Sequence, residues 1–292
     1  MITASLVKEL RDKTGAGMMD CKQALQETDG DIDRAINWLR EKGIAKAAKK
    51  AGRIAVEGLV KIASNQDTAV LLEMNAETDF VAKNEMFLEL LDKTASLLLA
   101  AQPADLAAAL ALDCAGQSLD ELIMSATATI GEKISLRRFI IVKKNADQLF
   151  GTYTHFDGRI GVIATLEGGN AEIGKDIAMQ VASMAPSYIQ RADMDEQLIQ
   201  QERNIQKALM ANDESLSSKP ENILAGILEG KLSKALQDMC LNDQLFFKAP
   251  EIKVGQYLKQ NGATCVAFVR YAVGEGLEKK EEDFAAEVAS MM

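Results

Sequence analysis

The sequence predicts an α+β protein. It has a small three-helix head, a duplicated hairpin-plus-helix core with two small antiparallel sheets, and an antiparallel helical hairpin inserted into the second half. Three observations predict this. The first 42 residues carry apolar side chains at helical spacing. A strand–turn–strand–loop–helix pattern recurs about ninety residues after its first occurrence. Two amphipathic segments joined by a short polar turn interrupt the second copy.

The head comes first. Leu6, Val7 and Leu10 give the first helix an apolar face, and Gly15-Ala16-Gly17 breaks it. A second helix runs from Met18 to Thr28 with Ala24 and Leu25 inward, and Gly30 stops it. Asp31 starts a third, with Ile32, Ala35, Ile36 and Leu39 at i, i+3, i+4 and i+7, and Gly43 is expected to end it. So small a core should be marginal alone and should lean on a neighbour. From Lys42 to Arg53 the chain holds five cations and no acid, without aromatics, which reads as a solvated helical linker rather than a nucleic-acid patch.

The core repeat is the most informative long-range feature. Gly58-Leu59-Val60, a polar turn and Ala69 to Leu72 precede a loop and an apolar helix from Met86 to Leu99. In the second copy, Gly151-Thr152-Tyr153, a turn at Asp157-Gly158 and Ile160 to Ile163 precede a loop and a helix from Asp176 to Met184. Ile134 to Val142 and Ala263 to Val273 are further strands. Ser118-Leu119-Asp120-Glu121 is a capping box opening another helix. Met194 to Met210 and Pro220 to Met239 form the helical hairpin, read as a projecting coiled-coil arm or as an extra packed pair, with Pro220 in the first turn of its second helix. The expected divisions are a head with basic linker at 1–53, a first half-core at 54–142, a second half-core at 143–276 with the arm at 193–240, and a C-terminal helix at 277–292, whose clearest helical stretch is Asp283 to Met291.

Composition narrows function. A net charge of −10 opposes nucleic acid as the principal partner. No apolar run reaches the ~18 residues of a membrane span. No basic-then-hydrophobic leader opens the chain, and four scattered cysteines without a Cys-x-x-Cys pair read as reduced thiols, so a cytoplasmic protein is expected. A single histidine, His155, excludes metal sites built on several histidines, and no nucleophile stands in a recognisable turn beside it; a structural or contact role suits it better than catalysis. Gly169-Asn170-Ala171-Glu172-Ile173-Gly174-Lys175 matches the G-x-x-x-x-G-K phosphate-loop spacing between a strand and a helix. Asp176 stands where a hydroxyl should hold magnesium, and Glu172 puts a carboxylate inside the cradle, so nucleotide binding there is the minor alternative. The expected class is a binding protein with no active site, metal or cofactor.

One loop stands out: Asn75 to Asn84, with Thr78-Asp79-Phe80-Val81 at its centre. On local chemistry, Thr78 or Asp79 would cap the next helix and Phe80 would fold onto the core. Yet the equivalent loop of the second copy, Glu167 to Lys175, has no aromatic, so the shared fold does not demand Phe80.

Leu6 to Arg11, followed by Thr14-Gly15-Ala16-Gly17-Met18-Met19-Asp20-Cys21-Lys22-Gln23-Ala24-Leu25, closely resembles the N-terminal signature of the bacterial elongation factor Ts family. Glu77-Thr78-Asp79-Phe80-Val81-Ala82 looks like its second signature. Ile130-Gly131-Glu132 with Arg137-Arg138, His155 with Gly158 to Val162, Asp176 to Met179, and Gly274-Glu275-Gly276 with Asp283-Phe284-Ala285 also match. Where the family commonly has Gln-Pro-Phe after the arm, this chain has Gln244-Leu245-Phe246. The resemblance implies a head like a ubiquitin-associated (UBA-like) domain and a guanine-nucleotide exchange factor for elongation factor Tu, GDP-bound and nucleotide-free. It implies that Asp79 and Phe80 wedge outward near the partner's magnesium and phosphate site, with Thr78 capping and Val81 beside them. Arg11, Met18, Met19 and Lys50 would be head contacts, and His155 a contact of the second half.

Overall fold

The computed structural model describes residues 2–216 and 219–277. They form two units: one of the chain up to Val142, Phe156–Ile160 and the described residues from Tyr271 on, the other of Lys143–His155 and Gly161–Arg270. The expected helix from Asp283 to Met291 lies outside the described residues.

The first unit holds α1 (Ala4–Thr14), α2 (Met18–Glu27), α3 (Ile32–Ala48), β1 (Glu57–Ser64), β2 (Thr68–Ala76), the single turn α4 (Asp79–Ala82), α5 (Glu85–Ala101), α6 (Leu106–Leu110), α7 (Leu119–Ile130) and β3 (Ile134–Lys143). Its sheet runs β1-β2-β3, with β1 antiparallel to β2 and Glu57 opposite Ala76. Thr3 caps α1 through the Leu6 N–H at 3.2 Å, and Asp31 caps α3 through the Arg34 N–H at 2.9 Å. Val7, Leu10, Cys21, Ala24, Leu25 and Ala35 form the head's small core. Phe87, Leu90, Leu91, Ala95 and Leu98 of α5 pack with Val70, Leu72, Met74 and Ala76 of β2 in the larger one. Ser118 and Glu121 make the expected capping box at α7.

The third head helix does not stop at Gly43; it runs on to Ala48. The glycine marks a close approach instead. A Cβ there would lie 3.2 Å from the Cβ of Ala128 on α7, so the bare backbone lets the two helices touch, which offsets glycine's helix cost of ~1 kcal/mol. The basic stretch around it is solvated as its composition implies, with Lys46, Lys49 and Arg53 exposed, although several of its cations have partners. Lys42 donates to Gln23 at 2.9 Å and lies over the Trp38 ring, and Lys46 donates to Asp20 at 2.7 Å.

The second unit holds β4 (Gln148–His155), β5 (Ile160–Gly168), α8 (Ala171–Met184), the paired helices α9 (Glu196–Ala211) and α10 (Glu221–Met239), the short hairpin β6 (Leu245–Phe246) and β7 (Ala249–Lys253), α11 (Val254–Gln260) and β8 (Ala263–Ala272). Its sheet order, β4-β5-β8, repeats that of the first. Pro220 stands at the N-cap of α10, one residue ahead of the helical turn expected for it. The arm's base is tied to α8 by buried amides. The Gln180 side chain donates to the Gln244 side chain and the Leu245 carbonyl, both at 3.1 Å, and accepts from the Phe247 N–H at 3.0 Å. Leu245, which stands where the resemblance expects a proline, is half exposed. Helix α8 lies directly on β4 because two glycines meet: a Cβ on Gly151 would sit 2.0 Å from the Gly174 carbonyl oxygen.

Glu73 is the unexpected core residue. It lies on the β2 face opposite the Leu72 and Met74 side chains and is fully buried. Arg137 donates at 2.9 Å, Arg138 Nε at 2.6 Å, Asn75 at 3.1 Å and the Gly274 N–H at 2.8 Å. Burial pushes its carboxyl up, but the Gly274, Arg137, Arg138 and Asn75 hydrogen bonds outweigh it and hold the group below its ordinary 4.5. A depressed carboxylate stabilises the fold fully above its unfolded value and loses that contribution as the pH falls through the folded one. Glu73→Gln should therefore cost about 3 kcal/mol in urea unfolding at pH 7, since it removes the buried anion that Arg137 and Arg138 both pair with. The gap from wild type should close as the pH drops below 4.5. Gly151→Ala should lower stability by about 2 kcal/mol or more by overpacking the α8–β4 contact, read in the same titration.

Candidate partner-binding site

The Thr78–Val81 turn is built between the end of β2 and the start of α5, and a second loop braces it. Gly131 ends α7 in a left-handed turn at φ 93°, which brings Glu132 and Lys133 back toward the first loop. Glu132 accepts from the Thr78 N–H at 2.9 Å and from the Thr78 hydroxyl at 2.8 Å. In return Glu77 accepts from the Lys133 N–H at 2.6 Å. Two carboxylates thus exchange charge-assisted bonds across the loops, each stronger than a neutral bond. The basic stretch after α3 joins them: Arg53 donates to Glu77 at 3.2 Å, Lys133 Nζ donates to the Arg53 carbonyl at 2.8 Å, and Lys50 donates to the Gly131 carbonyl.

On this support Phe80 is 79% exposed. The local reading in which it folds onto the core is overturned, because Val81 and Ala82 take the inward positions of the turn. Val81 is thus an anchor and not a surface residue. Thr78 occupies the N-cap position of α4, but its side chain makes no capping bond there; the hydroxyl is committed to Glu132. Asn84 caps α5 instead, accepting from the Met86 N–H at 2.9 Å. Asp79 is exposed and pairs with Lys83 at 3.0 Å, four residues on; such a surface pair is worth only ~0.3–0.5 kcal/mol and is readily exchanged for another cation.

The head lies against the same region. A Cβ on Gly15 would come 3.5 Å from the Thr129 methyl of α7 and 3.9 Å from the Met86 Cε of α5. Met18 and Met19, in the first turn of α2, are 50% and 75% exposed. Arg11 is exposed on α1. Lys50 is half-buried and spent on Gly131, so it supports the brace from behind. His155 belongs to the other unit, where its Nδ1 lies 2.9 Å from the Tyr153 hydroxyl.

The phosphate-loop spacing has another cause. Residues 171–175 are already α8, and Asn170 accepts from the Glu172 and Ile173 N–H groups at 3.0 and 3.1 Å, occupying the donors a phosphate would need. Gly174 is the packing glycine opposite Gly151, and Asp176 is buried, accepting from Lys248 at 2.6 Å and Tyr257 at 3.0 Å. Burial and that carboxylate push the Tyr257 phenol up to about 12.

A sequence model of the family described as Elongation factor TS matches residues 77–275, more than half of the chain and starting at the braced turn. The Elongation factor Ts of Acholeplasma laidlawii (strain PG-8A) is 52% identical over 292 residues, covering all of this chain and 99% of that protein. The chain belongs to the elongation factor Ts family. Membership implies a translation factor that exchanges nucleotide on elongation factor Tu. Among the described residues no helix is long and apolar enough to cross a membrane. The residues that sequence reasoning left without a role are Glu73, Glu132, Asn84, Gln180 and Gln244. A carboxylate inside the apolar run of β2 was the available signal for the first, and an acid directly after a helix-ending glycine for the second. Titrating the protein alone with fluorescent GTP or ATP should give no saturable micromolar binding, and Lys175→Ala should leave the titration unchanged.

Proposed function

We propose that this chain binds GDP-loaded and nucleotide-free elongation factor Tu and speeds GDP release by inserting Phe80, with Asp79 beside it, near the partner's magnesium and phosphate site. The observation that carries the reading is a large aromatic 79% exposed on a turn whose backbone is fixed from a second loop. Rigid exposed aromatics are the usual anchors of interfaces. Met18 and Met19 supply an adaptable second contact on a head that we read as UBA-like, with Arg11 adding charge. His155 and the second unit would hold other parts of the partner. The α9–α10 pair is read as a coiled-coil arm.

The mechanism needs no covalent step. GDP leaves a phosphate loop slowly because many charge-assisted contacts must break together. A factor that binds more tightly to a partner state with a weakened site shifts the population toward that state. By linkage, nucleotide weakens the factor's affinity by the same ratio, so incoming GTP expels it and the cycle closes. The reading places the protein in the cytoplasm, with no direct nucleic-acid contact. Phe80→Ala should keep the fold and slow GDP release from elongation factor Tu about fivefold or more, as truncation of an aromatic anchor does. Stopped-flow release of a fluorescent GDP at the wild-type rate would sink the wedge assignment.

A further inference from the structure

We infer that Glu132 is a positioning residue for exchange: its carboxylate holds the Thr78 N–H and hydroxyl and so fixes the angle at which Phe80 meets the partner. The inference rests on the wedge reading and deepens it. Its basis is geometric. Glu132 accepts from a single residue two positions before Phe80: from the Thr78 N–H at 2.9 Å and from its hydroxyl at 2.8 and 3.1 Å. The reverse bond, Glu77 to the Lys133 N–H at 2.6 Å, closes a ring between the loops. Against so many constraints the α4 turn has little freedom, and the bonds gain nothing by burying Phe80. What they hold in place is an exposed ring. The local N-cap, which Thr78 is placed to supply, is given up for this brace.

The same ring reaches the head. Arg53 bonds Glu77, Lys133 Nζ bonds the Arg53 carbonyl, and Lys50 bonds the Gly131 carbonyl next to Glu132. The segment that follows α3 and the Phe80 turn are therefore set by one network. The two contact surfaces of the unit, head and wedge, are held in a fixed mutual geometry, as a catalyst acting by pre-organisation requires.

The test separates binding from exchange. With full-length variants and elongation factor Tu carrying fluorescent GDP, the maximal release rate at saturating factor is compared with the affinity for nucleotide-free partner. Glu132→Ala should lower the maximal rate about fivefold or more, the worth of one to two hydrogen bonds, while affinity changes much less. Glu132→Gln, which keeps one acceptor oxygen, should fall between. Thr78→Val, which removes only the hydroxyl bond, supplies the same readout should Glu132→Ala fold poorly. The Phe80→Ala Glu132→Ala double variant should be no slower than Phe80→Ala alone, a non-additivity that general loosening of the fold would not give. A wild-type maximal rate in Glu132→Ala and Thr78→Val beside a slow Phe80→Ala overturns the inference and leaves the wedge standing. Multiplied losses in the double variant overturn it too. A wild-type Phe80→Ala removes the wedge reading and this inference with it.

Discussion

The first unit depends on a buried charge. Glu73 sits on the central strand of its sheet with no exposure, a position where an isolated carboxylate would cost several kcal/mol. It is tolerated because β3 brings two consecutive arginines to it and Gly274 adds a backbone N–H from a segment two hundred residues later in the chain. Arg137 and Arg138 then spend further donors on the carbonyls of Glu275 and Ala272, and Arg138 stacks on the Tyr271 ring at 4.0 Å. One carboxylate thereby ties the central strand, the third strand and the late chain segment into one unit. Apolar residues alone would fill the space but would not choose which segment lies there, since dispersion and burial are not directional.

A second acid performs the same task at the surface. Glu132 and Glu77 exchange bonds across two loops, and the result is a turn that exposes an aromatic ring. A hydrophobic ring left free to choose would turn inward; Val81 and Ala82 occupy that space. The strong polar bonds hold the turn locally, so the ring stays exposed without collapsing onto the core. The placement of Gly131, whose left-handed turn aims the brace, belongs to the same arrangement.

Much of this is legible in the sequence. The two copies of hairpin plus helix follow from periodicity, because strand and helix periods differ and the order recurs. The Ser118–Glu121 capping box and the helical pair around Ser215 follow from local chemistry. The odd status of Phe80 followed from comparing the copies. Gly43 is ambiguous because glycine inside a helical pattern has two meanings, a stop or a close approach, and only the neighbour's position, here Ala128, distinguishes them. The G-x-x-x-x-G-K match was likewise ambiguous, since Gly174 serves packing against Gly151 rather than a phosphate.

The sequence by itself determined the three head helices, the duplicated hairpin-plus-helix pattern, the helical pair and the family signatures, because these rest on spacing within a few turns of chain, whereas the short elements α4, α6, α11 and the β6–β7 hairpin carry too few residues to show a period. Only the tertiary structure decided which way Phe80 points, what Thr78 bonds, why Val81 is buried and why a glutamate lies in the heart of β2. Each of those depends on a partner far off in sequence: Glu132 for Thr78, Arg137 and Gly274 for Glu73. A polar group's fate is set by what folding brings within hydrogen-bond range, and no local pattern encodes that distance.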